Sequence, residues 1–309
     1  MATQQSTAPD DYFENLARKA LSPGWAKREP AMWPAPKSVF VPAIWRYQDA
    51  LAALTQATAF VSTESAERRN LILVDPIPGN SYATCRHLVG AYQLVMPGET
   101  ARSHRHSPNA LRLILDAAPG VCTLVDGVQI DLDPGDVVLT PQWHWHAHAN
   151  DSDKPAFWLD FLDVPLVQNM ENMFFEHHPE KPEKVIGHEP DSRFRYRGAG
   201  LQKRARSGSA VEIGDGQLRT IGLHIIGLAQ GQREAHQGRL SNNIYAITSG
   251  RVAFDVAPLG RHVLSRGDVI VVPSWNVYSL EGQEDGATLL RVSDEPAFAA
   301  LGFRNFHPA

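Results

Sequence analysis

Cysteine is scarce. Two, Cys85 and Cys122, occur in 309 residues, too few for a disulfide framework and not spaced as a metal-binding pair; a reducing compartment fits that usage. Long apolar runs are also missing, since none approaches the roughly 20 residues of a membrane-spanning helix. The opening MATQQSTAPDD has no basic region leading into an apolar core, so no signal peptide is expected. Positive charge is not in excess. With a formal net charge of −5, the chain offers no field that invites nucleic acid or a membrane surface. A cytoplasmic location is the expectation, and 43% hydrophobic with 20% charged residues is globular composition.

The chain changes texture along its length. DDYFENLARKAL, residues 10–21, has apolar residues at helical spacing, and a second helix is expected over 45–57. Between them EPAMWPAPKSVFVP is too rich in proline for regular helix and reads as an extended arm. From Leu71 onward, short β-rich runs alternate with Gly, Pro and Asp, the texture of an all-β barrel or sandwich. Residues 179–216 are polar and charged and read as a linker before a second β-rich block. The two blocks resemble each other. GDVVLTPQWHWHAH begins at Gly135 and GDVIVVPSWNVYSL at Gly267; upstream, Gly98 in PGETARSHRH matches Gly231 in QGQREAHQGR. A tandem duplication is predicted, with an arm over 1–70, a first β domain over 71–178, the linker, and a second β domain over 217–309.

Histidine is concentrated in the first block. On a strand, residues i and i+2 share a face, so His104 and His106 project together. His144, His146 and His148 do the same in PQWHWHAHAN. Neutral imidazole is the commonest metal ligand, and two such clusters in one small β domain predict a metal site.

These spacings resemble the cupin family. Gly98, His104 and His106 match its first motif; Gly135, Pro141, His146 and Asn150 match its second, with Trp143 in place of a usual glycine. The resemblance implies a bicupin of two tandem β-barrels and ligands His104, His106 and His146. The glutamate that most metal cupins place shortly after the His-x-His is missing, because Asn109, Ala110 and Leu111 stand there. Three neutral ligands leave a divalent ion its full charge and open positions, which suits Fe(II) better than zinc. In the second block Gln237, Arg239 and Tyr278 fall where the first has His104, His106 and His146. His224 and His236 read as out of register, so this half is expected to hold no metal.

PGETARSHRHSPNALRL, GDVVLTPQWHWHAHAN and FWLDFLDVPLV together resemble the gentisate 1,2-dioxygenase family, which also contains enzymes acting on salicylates and 1-hydroxy-2-naphthoate. That resemblance implies an extradiol-type, Fe(II)-dependent enzyme using O2 to open a 2-hydroxybenzoate between its carboxylate- and hydroxyl-bearing carbons. It implies that Arg112 faces the substrate carboxylate, although an ion pair with Asp116 or Asp160 is the competing reading. It makes Arg68 a second pocket arginine, with Arg69 as the alternative, and His148 a hydrogen-bonding pocket histidine. Asp160 becomes an orienting carboxylate and Gln93 a pocket-lining amide. Asn70 and Val89 depart from the family's usual residues beside the ring, which leaves gentisate and other 5-substituted salicylates, 5-nitrosalicylate among them, as candidates. Trp143, Trp145 and Trp158 read as barrel core. A homo-oligomer, tetramer or dimer, is expected, with the arm around Trp33 in the interface. The alternatives are a metal cupin of another class, such as an isomerase or hydrolase, and a non-enzymatic small-molecule-binding cupin.

Overall fold

The computed structural model describes residues 10–26, 32–62, 69–205 and 209–303. The chain divides into two compact units, 1–37 with 307–309, and 38–306. In the first, helix α1 (Asp10–Arg18) ends three residues before the predicted limit and is followed by a short 3-10 turn, Gly24–Ala26. The second holds everything else described below.

It opens with β1 (Ala43–Trp45), α2 (Tyr47–Ala57) and β2 (Arg69–Ile72). The first barrel follows: β3 (Val89–Val95), β4 (Thr100–His106), β5 (Ala110–Asp116), β6 (Val121–Val125), β7 (Val128–Asp131), β8 (Val137–Thr140), β9 (His146–Asn150) and β10 (Ala156–Leu162). Helix α3 (Val164–Asn169) and β11 (Phe175–His177) run back over its mouth, and β12 (Gly187–His188), β13 (Arg195–Tyr196) and α4 (Gly198–Arg204) lead on. The second barrel contains β14 (Ser209–Ile213), β15 (Gly222–Leu228), β16 (Arg233–His236), β17 (Asn243–Val256), β18 (Gly260–Ser265), β19 (Val269–Val272) and β20 (Tyr278–Ser293), and α5 (Glu295–Ala300) follows. The fold is a bicupin.

The first barrel is two six-stranded sheets, β13-β8-β5-β10-β3-β2 and β11-β4-β9-β6-β7-β12. In the second, the long strands β17 and β20 turn the corner without breaking, so its eight strands count as one sheet. The corner depends on glycine: a Cβ at Gly250, which has φ +68°, would sit 2.1 Å from the Gly286 carbonyl oxygen.

Residues 179–216 are not a bare linker. Strand β12 pairs with β7 and β13 with β8, both in the first barrel, while β1, which precedes the first barrel, pairs with β19 of the second. The barrels thus exchange their leading strand. One aspartate anchors each exchange. Asp136 accepts from Arg195 Nε (2.6 Å) and the Gly198 amide (2.8 Å); Asp268 accepts from Arg46 Nη1 (2.8 Å) and the Tyr47 amide (3.0 Å). These are the aspartates of the two Gly-Asp-Val turns. The polar composition of 179–216 reflects these ion-paired anchors rather than free chain.

Strand β5 is buried on both faces. Leu111, Leu113 and Leu115 pack with Leu159 and Phe161 against Ile225, Ile244, Val269 and Leu290 of the second barrel. Ile114 points the other way, into the first barrel, with Val95, Val121, Val138 and Trp158. Trp158 is therefore core, as predicted. Trp143 and Trp145 are not: both are half-buried and flank the Arg105 guanidinium at 4.4 and 4.3 Å from the ring centres.

Candidate functional site

Strands β4 and β9 pair antiparallel with His104 directly opposite His146, and His106 lies on the same face two residues on. Their ligating nitrogens lie within 4.8 Å of one another and all three residues are buried. Among the described residues this is the only group of three or more His, Cys, Asp or Glu side chains that could hold a metal.

Each ring is held by a backbone carbonyl. Nδ1 of His104 meets Arg102 O (3.0 Å), that of His106 meets Pro108 O (2.8 Å) and that of His146 meets His144 O (3.0 Å). A carbonyl can only accept, so each Nδ1 carries the proton and each Nε2 presents its lone pair. Nε2 of His146 is buried with no hydrogen-bond partner, a costly arrangement unless something else fills its lone pair. Burial first, then the neighbouring His104, His106 and Arg112, hold the His146 imidazole well below its ordinary pKa, so it stays neutral and ready to ligate.

A cavity of about 300 Å³ opens from His104 and His106, and Pro108, Ala110, Arg112, Asp160, Leu162, Val164, Met173 and Phe175 complete its lining. Arg112 and Asp160 are cross-strand partners on β5 and β10. Their side chains approach to 3.1 Å, Arg112 Nη1 donates to Thr140 Oγ1 (2.8 Å), and Trp158 Nε1 donates to Asp160 Oδ2 (3.3 Å). The Asp160 ion pair, the competing reading for Arg112, is present; both of its members line the cavity.

The remaining expected residues are distributed unevenly. His148 is buried on β9 with Nδ1 2.9 Å from Thr123 Oγ1, beside Trp158 and outside the cavity lining. Gln93 is buried on β3 opposite Trp158, its Nε2 without a partner. Val89 is buried at the start of β3, and Asn70 is exposed on the edge strand β2; neither lines the cavity. Arg69 is committed elsewhere: Nη1 donates to Glu99 (2.6 Å) and Nε to Val61 O (2.7 Å). It does not line the cavity. Arg68 lies outside the described residues.

Asn109, where a fourth acidic ligand is lacking, clamps the chain instead. Its amide and Nδ2 donate to Asp163 (2.8 and 3.1 Å), and its Oδ1 accepts from the Gln142 amide. The second barrel repeats the clamp with Asn242, Asp294 and the Ser274 amide. Thr123, Thr140 and the apolar residues Leu162, Val164, Met173 and Phe175 escape sequence reasoning. Only the apolar spacing of MENMFF after a short helix hints at a covering segment.

The register of the second barrel needs one correction. His236, not Gln237, stands directly opposite Tyr278, as His104 stands opposite His146. The cause is a bulge in β4: two residues lie between Ala101 and His104 while one lies between their partners His148 and His146. Strand β16 has no bulge. In the same frame Tyr245 and Arg291 are paired as Arg112 and Asp160 are.

A cupin-domain family model matches residues 91–162. A gentisate 1,2-dioxygenase from Streptomyces sp. is 31% identical over 340 residues, covering 95% of this chain and 93% of that protein. The chain belongs to the gentisate 1,2-dioxygenase family. A second member, gentisate 1,2 dioxygenase 1 of Aquipseudomonas alcaligenes, is 38% identical over 187 residues, 60% of this chain and 53% of that one. Among solved structures, salicylate 1,2-dioxygenase from Pseudoaminobacter salicylatoxidans, described as an adduct with gentisate, superposes with a TM-score of 0.87 at 26% identity. The match covers 98% of this chain and 95% of that one.

Proposed function

We propose that this chain is an Fe(II)-dependent 1,2-dioxygenase that opens a 2-hydroxybenzoate between the carboxylate-bearing and hydroxyl-bearing ring carbons. The observation that carries the reading is the triad of buried, carbonyl-anchored histidines, two of which, His104 and His106, line a cavity together with a buried Arg–Asp pair. The donor set fits the metal. Three neutral nitrogens with no carboxylate suit a borderline, redox-active ion with open positions, and the unpartnered Nε2 of His146 needs such an occupant. Iron(II), when bound, supplies the O2 chemistry.

The chain's own residues do the rest. His104, His106 and His146 hold the ion. The ion's two positive charges match the carboxylate and ionised hydroxyl of the substrate, while Arg112 is already balanced by Asp160. Arg112 therefore orients the carboxylate by directed hydrogen bonds, and Asp160 with Thr140 fixes the guanidinium plane. His148, held at Nδ1 by Thr123, is the residue assigned to receive or hold the phenolic proton. The family resemblance adds Gln93 and Arg68 as further substrate-binding residues. The apolar residues keep water from the ring. The extradiol label is not carried over, since the substrate bears one hydroxyl beside a carboxylate rather than two adjacent hydroxyls.

Anaerobic iron loading followed by oxygen uptake with salicylate, gentisate, 5-nitro- and 5-aminosalicylate, and 1-hydroxy-2-naphthoate tests this directly. Uptake with at least one of them, and none with catechol or benzoate, is the expected result. A reduced, iron-loaded protein that consumes none of the panel overturns the reading.

A further inference from the structure

The lining of the cavity sorts by depth. Its hydrogen-bonding side chains are all at the floor: Arg112 is 1% exposed, His104 4%, Asp160 6% and His106 8%. Towards solvent only carbon and sulfur remain. Leu162 and Val164 are half-buried, Met173 is 39% exposed and Phe175 55%. Strand β11 fixes this order, because Phe175 pairs with His106 and its ring lies 6.4 Å from that of His104. Asn70, the one polar residue expected beside the ring, is exposed on β2 and outside the lining.

Building on the ring-cleavage reading, we propose that the site selects 2-hydroxybenzoates whose edge remote from the carboxylate and hydroxyl is carbon or halogen, and discriminates against those bearing hydroxyl or amino there. A ligand that sends its carboxylate and hydroxyl to the polar floor leaves its opposite edge among Leu162, Val164, Met173 and Phe175. A hydroxyl at that edge gives up water and finds no side-chain partner among the described residues, which weakens binding by roughly tenfold. A methyl group at the same place covers apolar surface that Met173 and Phe175 already expose.

Binding, rather than turnover, isolates this effect, because a 5-hydroxyl also makes the ring easier to oxidise. Iron-loaded protein is titrated calorimetrically without oxygen against salicylate, 5-methylsalicylate and gentisate; methyl and hydroxyl are nearly equal in size. The expected order puts 5-methylsalicylate at least about fivefold tighter than gentisate. Val164→Thr, which puts a hydroxyl at the rim with little change of shape, should narrow that ratio. Gentisate binding as tightly as 5-methylsalicylate overturns the proposal, as does an Asn70→Leu variant that loses affinity for gentisate alone. If none of the three binds, the ring-cleavage reading itself fails.

Discussion

The two barrels share a scaffold and differ in what fills it. Both close a Gly-Asp-Val turn on an aspartate that anchors an exchanged strand, and both carry the Asn–Asp clamp, Asn109–Asp163 and Asn242–Asp294. Inside, position for position, His146 gives way to Tyr278, Arg112 to Tyr245 and Asp160 to Arg291. Only His104 keeps its type, as His236, and it lies flat on Tyr278 at 4.6 Å between ring centres. The Tyr245 and Tyr278 hydroxyls bond to each other at 2.5 Å. The cavity beside them has room for about 10 Å³, against about 300 Å³ in the first barrel; that is space for one water. The residues that make the fold are thus separable from those that make the site, and only the first barrel retains the site.

The sharpest way to break this comparison is to count metal. A loaded protein should contain about one iron per chain by elemental analysis. His146→Ala should lower iron affinity by more than about a hundredfold and abolish oxygen uptake, since loss of an orienting group alone costs up to that much. Tyr278→Phe, its counterpart in the other barrel, should leave iron content unchanged. Two tightly bound irons, or loss of iron from the Tyr278 variant, would remove the distinction.

Next in size is the Arg112–Asp160 pair. Truncating one member of a buried pair leaves an uncompensated charge, at a cost of about 3–5 kcal/mol. Arg112→Ala should therefore lower both stability and catalytic efficiency, the latter by about two decades or more, with iron retained. A combined Arg112→Met and Asp160→Leu variant should regain most of the stability without regaining efficiency. Recovery of both would make the pair purely structural.

The sequence made one link of this arrangement readable and hid the other. Local spacing was enough for the two leading helices, the duplication, the His-x-His pair and His146, because each rests on a period or a turn within about ten residues. Non-local register was not. The bulge between Ala101 and His104 offsets the motif of one block by a single residue, so Gln237 aligned where His236 stands. The exchange of β1 and β13 joins segments more than 50 residues from their partners, and no local pattern records that. Trp143 and Trp145 look like core in a string of letters; only the fold shows them half-buried and flanking Arg105. The apolar rim comes from residues 162–175, whose wrap over the barrel mouth depends on β11 finding β4.

The clamps offer a smaller, matched test. Removing the side chain of Asn109 or Asn242 takes one donor, Nδ2, from a buried aspartate and one acceptor, Oδ1, from the Gln142 or Ser274 amide, which costs about 1–3 kcal/mol per lost partner group. Chemical denaturation of Asn109→Ala and Asn242→Ala should show similar losses. Only Asn109→Ala should also perturb ligand binding, because its Oδ1 fixes the Gln142 amide just before His144 and His146. Equal effects on binding would mean that the second barrel is coupled to the site.

The smallest expected effect is on pH dependence and belongs to the second barrel. Burial lowers the pKa of both His224 and His236 below the ordinary 6.5, and the Arg291 guanidinium lowers both further. Arg291 Nη2 lies 3.0 Å from His224 Nδ1 and donates to it, so protonating that nitrogen breaks the bond. A folded-state pKa below the unfolded one means the unfolded chain binds more protons as the pH falls past 6.5. Stability from these groups is therefore present above that pH and declines below it. Thermal melts of the iron-loaded protein between about pH 7.5 and 5 should show the decline, and His224→Gln should flatten part of it. Because no iron site is expected in this barrel, the His224 contribution should be the same in metal-free protein. A His224 contribution that vanished on metal removal would show that the second barrel senses the metal in the first.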